Sequence, residues 1–316
     1  MSRATSIPKQ EPLPPLRWLL QPDATRFAHP AEIELARLLT FYGQRWAYEP
    51  TMFAVRWGID GRPEAFVTPD FYLPDRDQYL ELTTMRQRLV TRKNRKFRLL
   101  RKHYPHVRVR LLYLRDFERL QLVYGANDAE QEVRLGAILY PKEDVERRIT
   151  ELASQIAAGL PARTVRDRGQ RPLLLGVGPG SDRFLLSLGE KVRALGVGVD
   201  LDRVDLTTMP APPALAPVQV RLARVPTASL PGRAVVLVQE VLSSGLSAAF
   251  LETWLQRRGA EEVAVCALLD REAARVVDVP VICRGFLAPD VGLAGYGLTR
   301  RREFRDLPFI AEVETG

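Results

Sequence analysis

Asp70 and Glu81 each stand inside a short apolar run, Pro69-Asp70-Phe71-Tyr72-Leu73 and Tyr79-Leu80-Glu81-Leu82. The polar stretch between them, Pro74-Asp75-Arg76-Asp77, has turn composition. The two runs therefore read as a hairpin that brings both carboxylates side by side. Carboxylates held together repel each other unless a cation lies between them. Two oxygen ligands at the rim of a sheet suit a hard, partly hydrated ion such as Mg²⁺, or Mn²⁺ in its place. Such an ion activates water and stabilises charge on a phosphate under attack.

The residues that follow match that chemistry. From Leu82 to Arg115 there is no Asp or Glu but there are twelve Lys or Arg. Arg88, Arg92, Lys93, Arg95, Lys96 and Arg98 form the densest part. They would contact the phosphates of DNA or RNA without regard to sequence. A block of one sign can also be a plain solvated face. Beside an acid pair, it points to nucleic-acid chemistry.

The elements that must position these groups can be read from the pattern. His29–Gly43 is a helix with apolar residues at Ile33, Ala36, Leu38 and Leu39, stopped by Gly43. Trp46–Val55 and Ala65–Leu73 read as strands around a turn at Gly58–Gly61. Tyr79–Thr84 is a third strand, Arg88–Tyr104 a basic helix ended before Pro105, and Val107–Leu114 a last strand. Asp116 would cap a short final helix.

This order resembles the PD-(D/E)XK nuclease superfamily: a helix carrying Glu, a strand carrying PD, then a strand carrying E-x-K. The resemblance covers residues 29–123. It implies a restriction-endonuclease-like αβββαβ core and Mg²⁺-dependent phosphodiester hydrolysis. Asp70 and Glu81 would hold the metal, and Glu32 would assist from the first helix. Thr83 stands where the pattern has Lys. In some members that Lys migrates to the next helix, which makes Lys96, and Lys93 second, the candidates to activate water. Without a migrated Lys the domain would be a degenerate binding module.

A chain of 316 residues, 46% of them hydrophobic, is long enough for two domains. No run approaches the ~18 apolar residues of a membrane span. The start, Met1–Pro15, is polar and proline-rich, lacks a signal-peptide core and reads as part of a flexible arm over 1–28. Two cysteines, Cys266 and Cys283, suit buried thiols of a cytoplasmic protein better than a disulfide or metal framework. Up to Leu120 there are 22 Lys or Arg against 13 Asp or Glu, while the whole chain carries +8. A basic front and a near-neutral back fit two different jobs.

The domains are expected at 29–125 and 142–316, joined by a linker over 126–141. The second half alternates helix and strand. Lys142–Leu160, Asp182–Leu195 and Leu246–Arg257 read as helices; Arg171–Val177, Gly198–Thr208, Arg233–Glu240 and Glu262–Leu269 read as strands. Alternation with continuous apolar strands implies a parallel sheet covered on both faces. Ligands in such sheets bind at the carboxyl ends of strands. Gly176–Ser181 and Glu240–Gly245 are strand-end loops of that kind, suited to phosphates.

Residues 142–311 resemble the hypoxanthine-guanine type of purine phosphoribosyltransferase, an α/β fold of type I. Leu173-Leu-Leu-Gly-Val-Gly-Pro-Gly-Ser-Asp-Arg-Phe184 resembles the pyrophosphate loop. Gly232-Arg-Ala-Val-Val-Leu-Val-Gln-Glu240-Val-Leu-Ser-Ser-Gly-Leu246 resembles the loop for phosphoribosyl pyrophosphate (PRPP). Arg258–Arg271 resembles the strand that carries a purine-contacting Lys, and Gly285–Asp290, Gly295–Thr299 and Phe304–Ile310 resemble the hood. The resemblance implies Gly180, Ser181, Glu240, Ser243, Ser244, Gly245, Leu246 and Arg271 as phosphate or nucleotide contacts. It also shows departures: Gln239 for one of two acids, Ser243 for the general-acid/base Asp, Pro179 for the loop Lys, Arg271 for the purine Lys and Thr299 for the hood's metal-binding Asp.

Together these readings describe a nuclease-like domain fused to a degenerate transferase-like domain that senses PRPP or a purine nucleotide or acts as a homodimer scaffold. The alternatives are a purine-salvage transferase with an accessory basic domain, and a nucleic-acid-binding protein with neither activity.

Overall fold

The structure, a computed structural model, describes residues 26–83, 87–113, 133–159, 171–207, 219–289, 291–298 and 302–315. Most of the expected arm, the helix capped by Asp116 and Thr299 lie outside the described residues. The chain divides into two compact units after Leu111, with residues 38–44 grouping with the second.

The first element is α1 (Pro30–Phe41), which enters from the N-terminal unit and whose start is built by a reciprocal cap. Pro30 sits in the first turn, where its missing N–H is not needed. His29 Nδ1 accepts the Ala31 amide, and Glu32 Oε2 accepts the amides of His29 and Ala28. This is the capping-box logic with an imidazole in place of a hydroxyl. Gly43, at φ 64°, ends the helix as expected.

The two strands expected at Trp46–Val55 and Ala65–Leu73 are each broken in two. The first becomes β1 (Ala47–Tyr48) and β2 (Phe53–Trp57); the second becomes β3 (Pro63–Val67) and β4 (Phe71–Leu73). Pro50 and Pro69 lie in the breaks, where neither can donate to a ladder, and Glu49 takes a left-handed φ of 44°. β2 and β3 form their own hairpin. β1 and β4 join β5 (Gln78–Thr83) and β6 (Arg108–Tyr113) in a four-stranded sheet ordered β1-β4-β5-β6. Thr84, expected to end the third strand, lies outside the described residues.

α2 (Gln87–His103) and the residue that follows it lay Phe97, Leu100 and Tyr104 against Tyr72 and Tyr79 of the sheet and against Phe53 and Val55. Tyr104 donates its hydroxyl to the Ala54 carbonyl at 3.1 Å. A second aromatic cluster, Phe27, Trp46, Tyr48 and Phe71, joins the segment before α1 to β1 and β4, with ring centroids 4.8–6.1 Å apart.

The C-terminal unit is a mixed α/β fold around a six-stranded sheet ordered β10-β9-β8-β11-β12-β13. Its strands are β8 (Leu173–Val177), β9 (Asp200–Leu206), β10 (Leu222–Arg224), β11 (Ala234–Leu242), β12 (Glu262–Asp270) and β13 (Val281–Leu287). All pairs are parallel except that of β10 with β9. Side-chain alternation along β11 explains the two cores. Val236 and Val238 pack with α3 (Lys142–Gly159) and α4 (Asp182–Ala194), whereas Val235 and Leu237 pack with α5 (Leu246–Gln256).

The stretch read as a linker, 126–141, contains β7 (Val133–Tyr140), which pairs antiparallel with β15 (Ile310–Thr315). β14 (Gly292–Ala294) completes this three-stranded sheet, and α6 (Arg302–Arg305) precedes β15. The run Val-Arg-Leu-Gly-Ala-Ile-Leu-Tyr is a good strand sequence, but its partner is at the far end of the chain. Local signals do not reveal such a pairing.

At the carboxyl end of β12, Asp270 and Arg275 form an ion pair in which both side chains are buried. Removing one partner leaves a buried charge uncompensated. Asp270→Ala is expected to destabilise the C-terminal unit by about 3–5 kcal/mol, measured by urea unfolding.

Candidate functional site

In the N-terminal unit the ladder pairs Phe71 with Leu80 and Tyr72 with Tyr79. Continued by one residue, this register puts Asp70 opposite Glu81 on one face, as the hairpin reading expects. Both side chains are buried. Each carboxylate accepts an amide from beside the other: Asp70 N–H donates to Glu81 Oε2 at 3.2 Å, and Leu82 N–H donates to Asp70 Oδ2 at 2.6 Å. Burial is the main cause that lifts Asp70 to about 6 and Glu81 to about 7. The charge of Asp70 adds to the rise at Glu81, and Glu32 adds to the rise at Asp70.

Lys93, not Lys96, reaches this pair. Its ammonium forms an ion pair with Glu81 Oε1 and donates to the Leu82 carbonyl at 2.8 Å. Lys96 is exposed and donates instead to the Phe66 carbonyl at 3.3 Å. The reason is angular. Lys93 precedes Phe97, Leu100 and Tyr104 at spacings of four, three and four, so it continues the stripe that faces the sheet. Lys96 lies off that stripe. This signal was present in the sequence.

Glu32 is partly committed elsewhere. Besides the two capping amides, its Oε2 accepts the Tyr48 hydroxyl at 2.7 Å. Its proximity to Asp70 is electrostatic. Of the basic residues, Arg95 and Arg98 are exposed on α2 together with Lys96. Arg88 and Arg92 lie in α2, but their side chains are outside the described residues. Among the described residues, no group of three or more His, Cys, Asp or Glu converges as a metal-holding cluster. The fit to a divalent cation rests on the facing pair Asp70 and Glu81. Burial and mutual repulsion oppose its double charge, and a bound cation would relieve that.

In the C-terminal unit three strand-end loops meet along the carboxyl edge of the parallel sheet: Gly178–Ser181 after β8, Ser243–Gly245 after β11, and Arg271 after β12. Gly178 has φ 83°. Gly180 is needed for a close approach, since a Cβ there would collide with the Glu240 carboxylate and the Gly297 carbonyl. Ser181 is fully buried and donates its hydroxyl to the Gly178 carbonyl at 2.7 Å, so it holds the turn and is not presented to a ligand. Burial raises Glu240 to about 8, against the lowering influence of Arg305.

Ser243 is half-buried. Ser244 is buried, and its Oγ accepts the Leu246 amide at 3.3 Å. The Ser244 carbonyl accepts the amides of Val276 and Val277 at 2.8 and 3.1 Å. Gly245, at φ 80°, caps α5 where a Cβ would meet the Val277 carbonyl and the Arg275 side chain. The loop is thus fixed from behind. Arg271 donates its guanidinium to the Val291 carbonyl at 2.7 Å and its amide to the Leu242 carbonyl at 2.9 Å. Ser247, half-buried in the first turn of α5, is a further hydroxyl that the motif reading passed over; its signal is the repeated Ser after Gly245.

Similarity to known proteins falls on this unit's fold class. No family model matches the chain. The hypoxanthine phosphoribosyltransferase of Salmonella typhimurium is 27% identical over 176 residues, 56% of this chain and 94% of that protein. The bifunctional protein TilS/HprT of Listeria monocytogenes is 25% identical over 206 residues, 63% of this chain; the chain spans only 30% of that relative's length. A crystal structure of a hypoxanthine-guanine phosphoribosyltransferase from Bacillus anthracis superposes with a TM-score of 0.50 at 25% identity, covering 58% of this chain and 100% of that one. The C-terminal part of the chain matches such phosphoribosyltransferases in sequence and fold. These relatives give no support to a nuclease.

The acid pair carries a pH signature. Both folded values lie above the ordinary carboxylate range, so the folded unit binds more protons than the unfolded chain between about pH 4 and 7. The stability this contributes is full below that window and lost as pH rises through it. Without metal, hydrogen exchange of β4 and β5, corrected for intrinsic rates, should show lower protection at pH 8 than at pH 5. Glu81→Gln should flatten the difference, and Mg²⁺ should restore protection at pH 8.

Proposed function

We propose that the C-terminal unit is a purine-phosphoribosyltransferase-type module that binds a phosphorylated ribosyl ligand, PRPP or a purine nucleotide. The observation that carries this reading is the meeting of the three strand-end loops, with Ser244, Gly245 and Ser247 at the start of α5. Backbone amides and hydroxyls there suit a phosphate. The similarity to hypoxanthine phosphoribosyltransferases supports it.

Turnover is expected to be poor. Ser243 cannot act as an acid or base near neutral pH, and Gln239 offers an amide where the resemblance expects an acid for ribose hydroxyls and metal. Loss of general acid–base catalysis alone removes about 10²–10⁴-fold in rate. An assay with PRPP and hypoxanthine or guanine is expected to show little nucleotide formation, while calorimetry with PRPP and purine nucleotides shows binding. Nucleotide formation at rates usual for enzymes would establish a working salvage transferase. No heat with any ligand would leave the unit a scaffold.

A second reading concerns the N-terminal unit by itself and is favoured by one observation, the ion pair of Lys93 with Glu81 opposite Asp70. We propose that this unit hydrolyses nucleic-acid phosphodiesters. Asp70 and Glu81 would hold Mg²⁺ or Mn²⁺, which supplies Lewis-acid stabilisation of phosphate charge. Lys93 would hold a positive charge beside Glu81, and exposed Arg95, Lys96 and Arg98 would bind the phosphate backbone. With single- and double-stranded DNA and RNA as substrates, Lys93→Ala is expected to reduce cleavage by about 10²-fold or more. Lys96→Ala should retain most of it, and equal losses would remove the distinction. Replacing Arg95, Lys96 and Arg98 together by Ala should weaken binding to all sequences alike and flatten its salt dependence. Binding without cleavage in any metal would leave a nucleic-acid-binding module.

A further inference from the structure

Thr83 is 3% exposed, and its Oγ1 has no hydrogen-bond partner among the described residues. Alternation along β5 puts Tyr79, Glu81 and Thr83 on one face, and α2 packs against Tyr79 on that face. The Lys93 ammonium is bound to the Glu81 carboxylate and to the carbonyl of Leu82, the residue before Thr83. A buried hydroxyl without a partner is unfavourable, and valine would fill the same volume without that penalty. Such an orphan beside a carboxylate pair calls for a functional explanation.

We propose that Thr83 is a positioning residue for the water that attacks phosphorus at the Asp70–Glu81 site. The proposal rests on the phosphodiester-hydrolysis reading of the N-terminal unit. The Oγ1 lone pair accepts one O–H of that water and so aims the oxygen, while Lys93 provides the positive charge. Two tasks that one lysine could perform are thereby divided between a strand hydroxyl and a helix ammonium. In the step served, the water oxygen bonds to phosphorus and the bond from phosphorus to the leaving ribose oxygen breaks. The water releases a proton to solvent and the leaving oxygen takes one up. A phosphomonoester and an alcohol result, with no change of oxidation state.

The test compares full-length wild type, Thr83→Val and Thr83→Ser. It uses end-labelled single- and double-stranded DNA and RNA in Mg²⁺ and Mn²⁺, with substrate binding in Ca²⁺ and thermal midpoints measured in parallel. Valine is expected to lower kcat by about tenfold or more through misplacement of the nucleophile. KM and substrate binding should stay unchanged, and the thermal midpoint should be equal or higher. Serine, which keeps the hydroxyl, should recover most of the rate. Equal kcat for wild type and Thr83→Val would overturn the role of Thr83 and leave phosphodiester hydrolysis standing. A lower thermal midpoint in Thr83→Val, with the rate regained on cooling, would also overturn it, as a structural effect. Absence of cleavage by wild type on every substrate would overturn the hydrolysis reading and this role with it.

Discussion

The N-terminal unit is organised around two carboxylates that face each other across a ladder from which water is largely excluded. Such a pair cannot carry two full charges without compensation. Much of the surrounding structure answers that constraint. The amides of Asp70 and Leu82 each donate to the opposite acid. α2 is registered by Phe97, Leu100 and Tyr104 so that Lys93 arrives at Glu81. The break at Pro69 lets Asp70 leave the β2–β3 hairpin and enter the main sheet. The aromatic cluster of Phe27, Trp46, Tyr48 and Phe71 fixes the other side, and with it the capped start of α1.

The C-terminal unit shows the opposite balance. Among the described residues its scaffold is a largely parallel sheet with two apolar cores and tightly held loops at the carboxyl edge. The departures from the resembled pattern fall on side chains that would do chemistry there. On the proposed reading the backbone amides and glycines of these loops would suit a phosphate, while Ser243 would stand where the resemblance expects an acid–base Asp. Fold and reactivity are separable because a phosphate contact needs mainly backbone geometry, whereas proton transfer needs a particular side chain.

Much of this was legible in the sequence, for identifiable reasons. Alternating strands and helices with continuous apolar strands gave the parallel sheet, and the Asp70–Glu81 pairing followed from a short turn between two apolar runs. The Pro50 and Pro69 breaks were missed because the flanking residues are strong strand formers, although each Pro was itself the signal. β7 was missed because its partner strand lies at the other end of the chain. Spacing alone allows Lys93 and Lys96 to share a helix face; only the stripe of Phe97, Leu100 and Tyr104 singles out Lys93. Glu32 was read for chemistry alone, while its position three residues after His29 also marks a cap. The Ser181 hydroxyl donates to the Gly178 carbonyl, a local turn contact that the loop motif does not display.

Gly180 and Gly297 approach so closely that neither can gain a Cβ without striking the other's loop, and the Glu240 carboxylate fills the space beside them. Each added Cβ would strike the other's backbone carbonyl, so no side-chain change at the partner relieves it, although the two come from distant parts of the chain. Lineages that drift in this protein should therefore keep both glycines. The loop after β8 owes its shape to that mutual exclusion, which would outlast any loss of catalysis.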